Sequence, residues 1–187
     1  MLDEKGKIID EFSSKHKSYS ELSLWSEQKP SEWKEGILKI LRKVVNKHNK
    51  IDGISFSGQM HGLVILDEFD VPLRNAILWN DQRTYAETYQ LNTNLVGVNK
   101  LRKLVGNKAY TGFTGPKLLW IYNNERKVFD NISKIMLPKD YLVYILTGEF
   151  VTDVSDASGT LFFDVKNKCW SKEMVQIFNI RNDQLPK

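Results

Sequence analysis

Apolar residues recur at helical spacing between Trp33 and Val45. Trp33, Ile37, Ile40, Leu41, Val44 and Val45 share one stripe, with Pro30 and Glu32 in the opening turn. This predicts an amphipathic helix starting at Pro30. Upstream, Lys7 to Phe12 follows the turn-like Asp3-Glu4-Lys5-Gly6 and reads as the second arm of a hairpin. Only Met1 and Leu2 are available as its first arm, which leads us to expect a chain cut at its start. A β-rich block comes next. Ile54 and Phe56 alternate with Ser55 and Ser57, Leu63 to Leu66 is wholly apolar, and Ala76 to Trp79 is a second apolar run. Turn residues separate these strands at Gly58 to Gly62 and at Asp67 to Asp70.

The remaining pattern alternates short helices with strands. Helices are expected over Arg83 to Leu91, Asn99 to Val105 and Lys117 to Asn124, the last with Thr114 as its cap and Pro116 opening it. Asp140 to Leu146 forms another, after Met136-Leu137-Pro138, and Gly148 stops it. Asp153 to Ala157 reads as a polar turn or short helix, and Thr160 to Asp164 as a strand. Ser171 caps a final helix over Lys172 to Phe178. The class is α/β or α+β, in one unit without internal repeat or linker.

Composition narrows the functional classes. The 187 residues are 41% hydrophobic and 27% charged, with 9 Phe, 7 Tyr and 5 Trp, which excludes a disordered or collagen-like chain. The single cysteine, Cys169, excludes an internal disulfide and a multi-cysteine metal site. No apolar run approaches the roughly 18 residues of a membrane span, and acids occupy the start where a signal peptide would be apolar. A cytoplasmic protein is expected. The net charge of +4 raises nucleic acid as a partner. Yet Lys is dispersed among acids, and the densest basic run, Lys39 to Lys50, alternates with the apolar stripe of the first helix. That is a solvated helix face, so no nucleic-acid partner is expected.

Several chemical signatures are missing: there is no Walker loop, no G-x-G-x-x-G and no G-x-S-x-G. The histidines His16, His48 and His61 lack partners at metal-ligand spacing, so no metal site is expected. Gly58-Gln59-Met60-His61-Gly62 lies between two strands, at a strand end where α/β folds often bind ligands. Gln59 and His61 supply donors and acceptors, and Met60 an apolar wall, a mixture suited to a polyhydroxylated ligand. A plain Gly-flanked turn is the alternative. In Trp79-Asn80-Asp81-Gln82-Arg83, Asn80 or Asp81 could cap the next helix, or Asp81 could pair with Arg83. Thr152 to Thr160 packs two carboxylates and four hydroxyls into a polar turn that could present hydrogen-bond partners or magnesium ligands.

These segments together resemble the amino-terminal domain of the FGGY carbohydrate kinases. Gly112 to Asn124 fits that family's first signature. Trp25 to Gln28, Ser57 to Gly62, Ala76 to Arg83, Leu137 to Leu142, and Leu146 through Thr160 follow in the family's order and are most similar to its xylulokinase branch. The resemblance runs from about Gly6 to Pro186. It implies a ribonuclease-H-like domain of the actin and hexokinase superfamily, over residues 1–187 and lacking its first strand and phosphate loop. It implies transfer of the γ-phosphoryl of ATP, as its magnesium complex, to D-xylulose, giving D-xylulose 5-phosphate. Met60 and His61 match the family's substrate-contact pair, and Gln59 adds to the cradle.

The departures from the pattern carry expectations too. The family's Asp-x-Gly-Thr phosphate loop is not in this chain, whose one Gly-Thr pair, Gly159-Thr160, belongs elsewhere. The family's catalytic aspartate would lie beyond Lys187, and so would the second, nucleotide-side domain with most of the ATP and Mg2+ contacts. No catalytic residue and no cofactor ligand is therefore assigned here. The expected partners are the sugar and the remainder of the kinase, with a homodimer left open. A non-catalytic sugar-binding module and a different FGGY sugar kinase stay open as alternatives.

Overall fold

The computed structural model describes all 187 residues. In chain order it forms β1 (Glu27–Gln28), α1 (Pro30–Lys47), β2 (Val64–Leu66), β3 (Ala76–Ile77), α2 (Tyr85–Asn92), α3 (Val98–Val105) and α4 (Thr114–Asn124). There follow α5 (Arg126–Asp130), β4 (Lys134–Met136), α6 (Pro138–Thr147), α7 (Val154–Ala157), β5 (Phe163–Asp164), β6 (Cys169–Trp170) and α8 (Lys172–Ile177). No helix is long and apolar enough to cross a membrane.

The strands are short and every pairing is antiparallel. β2 pairs with β4, with Ile65 opposite Ile135, and β1 pairs with β3. A single bridge between Leu63 and Ile77 joins the two pairs, so the strands lie in the order β4, β2, β3, β1. Both faces of this sheet are covered. Leu63, Ile65, Ile77 and Ile135 enter the larger core, with Leu91, Leu101, Leu118, Ile121 and Phe162. Their sequence neighbours Val64, Leu66, Ala76, Leu78 and Met136 point the other way, onto Trp33 of α1 and Tyr141 of α6. A strand buried on both faces reads as an unbroken apolar run, which is why Leu63 to Leu66 shows no alternation.

The helix signals hold where a cap or a period sets them. α1 begins at Pro30, α6 ends on Gly148 in the left-handed conformation though it starts at Pro138, two residues before the expected Asp140, and Ser171 accepts from the Met174 amide at the start of α8. The arm at Ile8 and Ile9, expected to lack its partner, pairs instead with Met1 and Leu2: Leu2 is bridged to Ile8, and the Ile9 amide donates to the Met1 carbonyl at 3.0 Å.

Four local expectations are corrected. The segment around Ile54 and Phe56 is not a strand: no strand lies beside it, and Asn49 to Gln59 makes no backbone–backbone hydrogen bond. Ile54 is left exposed. Thr114 does not cap α4, since the cap position falls on Phe113 and the Thr114 hydroxyl donates instead to the His61 carbonyl. Neither Asn80 nor Asp81 caps α2, whose cap position is Thr84. The strand expected from Thr160 is cut to Phe163–Asp164, because Leu161 takes φ 69, outside any extended ladder.

Candidate functional site

The Gly58–Gly62 loop enters β2 through a tight corner. The Gly62 amide donates to the Met60 carbonyl at 2.7 Å, and His61 adopts φ 60, a left-handed conformation that non-glycine residues rarely take. Such a conformation persists where the surroundings hold it. Here α4 does so. Its Thr114 hydroxyl and its Lys117 ammonium both donate to the His61 carbonyl, at 3.3 Å and 2.6 Å. The imidazole packs on Phe113, with ring centroids 4.5 Å apart. Its other edge lies against Gly159, where an added Cβ would stand 2.2 Å from the ring.

That packing fixes the chemistry of His61. The Nδ1 atom is buried without a hydrogen-bond partner. Burial holds its pKa below 6.5, the Lys117 charge acts the same way, and Asp156 and the Gly159 backbone oppose them. The imidazole is therefore neutral at pH 7 and can donate or accept through one nitrogen. Met60, beside it, is exposed and presents its thioether to solvent. Gln59 is turned to a different task. Its amide donates to Gln28 at 3.0 Å, and Gln28 also accepts from the Trp33 indole at 3.1 Å. Gln59 thus lines a cleft between α1 and α6 with Trp33, Gly36, Lys139 and Leu142.

Two polar clusters flank this corner. In the first, the carboxylate of Asp81, fully buried, accepts from the Ser26 amide at 2.6 Å and from Arg83 Nε and Nη2 at 2.9 Å and 2.7 Å. Arg83 lies over Trp25, its guanidinium carbon 3.6 Å from the ring centroid, and shares Glu27 with Arg74. The pairing of Asp81 with Arg83 is the role that the structure selects for this motif. In the second, Lys139 gathers Asp140, Asp153 and Asp156 at 2.5, 2.7 and 3.2 Å. Burial disfavours its charge, yet the bonds to Asp140 and Asp153 prevail and push its pKa well above 10.5.

The polar run from Thr152 to Thr160 divides between these tasks. Asp153 caps α7 by accepting from the Ser155 and Asp156 amides, and Gly159 backs His61. No three His, Cys, Asp or Glu side chains are grouped to hold a metal ion. The carboxylates nearest the corner, Asp140, Asp153 and Asp156, converge on the Lys139 ammonium, which takes the place among them that a magnesium ion would need.

Sequence reasoning missed Phe113, Lys117 and Gly159. Lys117 had one legible signal: it directly precedes the apolar run Leu118-Leu119-Trp120-Ile121. It is fully buried. Burial lowers its pKa from 10.5 to about 7, with Asp81 opposing and Arg83 assisting.

Comparison with solved structures gives the class of the fold. The chain superposes with TM-score 0.92 on a xyloylose kinase from Brucella ovis, at 37% identity, covering all of this chain and 38% of that one. It superposes with TM-score 0.91 on Plasmodium falciparum glycerol kinase with ADP, at 26% identity, covering 99% of this chain and 39% of that one. The fold is thus that of the actin- and hexokinase-like sugar kinases. The family is also shown. The model of the FGGY family of carbohydrate kinases, N-terminal domain, matches residues 1–187, and the chain belongs to that family. It is 44% identical to xylulose kinase of Staphylococcus xylosus over 182 residues, 96% of this chain. It is 38% identical to xylulose kinase of Escherichia coli strain K12 over its whole length. The chain spans 38% of the length of each of these two relatives.

Proposed function

We propose that this chain is the sugar-side domain of an ATP-dependent xylulose kinase. The reaction is transfer of the ATP γ-phosphoryl, as its magnesium complex, to D-xylulose, giving D-xylulose 5-phosphate in xylose and xylulose catabolism. One observation carries the reading: in a chain 44% identical to a xylulose kinase, the Met60–His61 corner is open to solvent yet held in a strained, over-determined conformation. A ketose loses several water hydrogen bonds on binding and needs replacements from the site. His61 gives or takes one such bond, and Met60 covers an apolar edge of the sugar. Gln59 supports the corner through Gln28 and Trp33.

Within this domain the residues bind and orient the sugar. None is assigned the proton acceptor: Asp153 and Asp156 are drawn onto Lys139, and Asp81 is closed by Arg83. The phosphate contacts, the magnesium ligands and the catalytic carboxylate are assigned to the remainder of the kinase, which is the partner of this domain. Phosphoryl transfer rests on positioning and charge stabilisation of the phosphates, so the 187 residues alone should not turn over.

A coupled ADP-release assay tests the reading. The kinase that carries this domain should phosphorylate D-xylulose faster than gluconate or glycerol, and the isolated chain should match a no-protein control. Preference for another sugar or polyol would overturn the substrate, and turnover by the purified isolated chain would overturn the division of labour.

A further inference from the structure

Lys117 makes no ion pair, although its side chain is fully buried. Its ammonium has two partners, both backbone carbonyls: His61 O and Gly112 O, each at 2.6 Å. A buried charge is costly unless it is hydrogen-bonded, and one that chooses carbonyls from two separate segments fixes where those two backbones lie. The two segments are those that hold the imidazole. One is His61 itself, in its left-handed conformation. The other is the turn that carries Phe113 against the ring. The turn is locked further on. A Cβ on Gly112 would stand 2.6 Å from the Trp79 carbonyl, and Thr84 donates to the Thr111 carbonyl at 3.0 Å.

We infer that Lys117 is the positioning residue of the sugar site: it clamps the His61 and Gly112 backbones together, and so sets the place and orientation of the imidazole offered to the sugar. The inference rests on the sugar-site reading above only for the identity of the ligand. Thr114, which donates to the same carbonyl from one turn earlier on α4, is the lesser part of the same clamp. The clamp also has an electrostatic signature. The Lys117 charge is one of the groups depressing the His61 pKa, with Asp156 opposing it at the imidazole, and Asp81 and Arg83 facing the ammonium itself.

The test uses the full kinase that carries this domain. Lys117→Met keeps the length and apolar stem but removes the donors. It should weaken D-xylulose binding by about tenfold or more while the ATP KM stays within about twofold, because the lost bonds lie on the sugar side. Two further readouts are independent of the ligand. The His61 imidazole resonance should titrate at a higher pH in the variant, and amide exchange should accelerate in the Gly58–Gly62 peptide while the Leu118–Ile121 peptide stays protected. If Lys117→Met does not fold, Thr114→Val, which leaves the Lys117 charge in place, should show the loss of sugar affinity and the faster loop exchange at smaller size, with the His61 titration unmoved. Unchanged His61 titration and unchanged loop exchange in a folded variant would overturn the clamp, as would unchanged sugar affinity in a kinase that binds xylulose. A wild-type kinase that binds no xylulose, yet shows the titration and exchange changes in the variant, would overturn the substrate and support the clamp.

Discussion

Gly159 and His61 are in contact so close that no side chain fits between them: a Cβ on Gly159 would lie 2.2 Å from Cε1 and 2.4 Å from Nδ1 of the imidazole. Gly159 has no left-handed backbone requirement, so packing against the ring is the reason for glycine there. The polar run Thr152–Thr160, read from sequence as a local turn, therefore forms one wall of the candidate sugar site.

Gly159→Ala should displace the imidazole and leave the core almost untouched. A misplacement of about 1 Å at a binding group can cost on the order of 10²-fold in rate. In the full kinase the xylulose specificity constant should fall by about that factor, with the melting temperature nearly unchanged. Wild-type sugar kinetics in this variant would show that the ring can move without consequence.

His61→Ala should remove one hydrogen bond to the sugar, which typically costs about 1–3 kcal/mol when a buried polar partner is left unpaired. At about 1.4 kcal/mol per tenfold this is about a five- to 150-fold loss in the xylulose specificity constant. The ATP KM should hold. Steady-state kinetics on both substrates, normalised by active-site titration, separates this from a structural histidine, whose loss would lower the folded fraction and spare the sugar KM.

Asp81→Ala should be strongly destabilising. Asp81 and Arg83 have side-chain exposures of 0% and 1%, and the carboxylate also satisfies the Ser26 amide. Removing one partner of a buried pair leaves the other charge uncompensated, at about 3–5 kcal/mol. Arg83 keeps Glu27, which sets the expectation at the lower end. Urea unfolding of wild type and variant measures it. A loss below about 1 kcal/mol, the range of a surface pair, would mean that Glu27 alone suffices.

Much of the helical frame was legible because its causes are local. Pro30, Gly148 and Ser171 mark helix ends by their own backbone and capping chemistry, and the Trp33–Val45 stripe marks a face. The strand at Ile54 and Phe56 failed for the opposite reason. Alternation states that a segment can pair, but pairing needs a second strand beside it, and none lies there. The candidate sugar corner was legible only in part. Met60 and His61 stood out as a chemical mixture and through family resemblance. The Lys117 and Gly159 contacts that hold them cross large sequence separations, 56 residues in the case of Lys117, which no local pattern records.

The unpaired segment makes its own prediction. In the 187-residue chain, amides from Ile51 to Ser57 should exchange at nearly intrinsic rates, while those of Leu63 to Leu66 are protected by the ladder and by burial on both faces. Mass-resolved hydrogen exchange on overlapping peptides reads both. Protection over Ile51–Ser57 in a dilute monomer would show that this segment has found a partner within the chain.

The pH dependence of stability isolates Lys117. Its folded pKa of about 7 lies below its ordinary 10.5, so the unfolded chain binds the proton more tightly across that interval. Stability contributed by this group is complete above 10.5, falls as the pH drops towards 7, and is flat below. Other shifted groups act outside the window. His61 is lowered from 6.5, so its contribution falls only as the pH drops through that value. Lys139 is raised above 10.5, and Tyr141 and Tyr144 above 10.0, so what they add is constant in the window and is lost at higher pH. Between about pH 7.5 and about pH 9.5 the wild-type chain should therefore gain roughly 2 kcal/mol from Lys117. Urea unfolding at the two pH values, for wild type and Lys117→Met, measures the difference of slopes and cancels whatever the two proteins share. The variant should lose the gain and be the more stable of the two near neutral pH only if its backbone carbonyls find other donors. Equal slopes would mean that the two carbonyl bonds hold the ammonium charged throughout, and that burial does not set its titration.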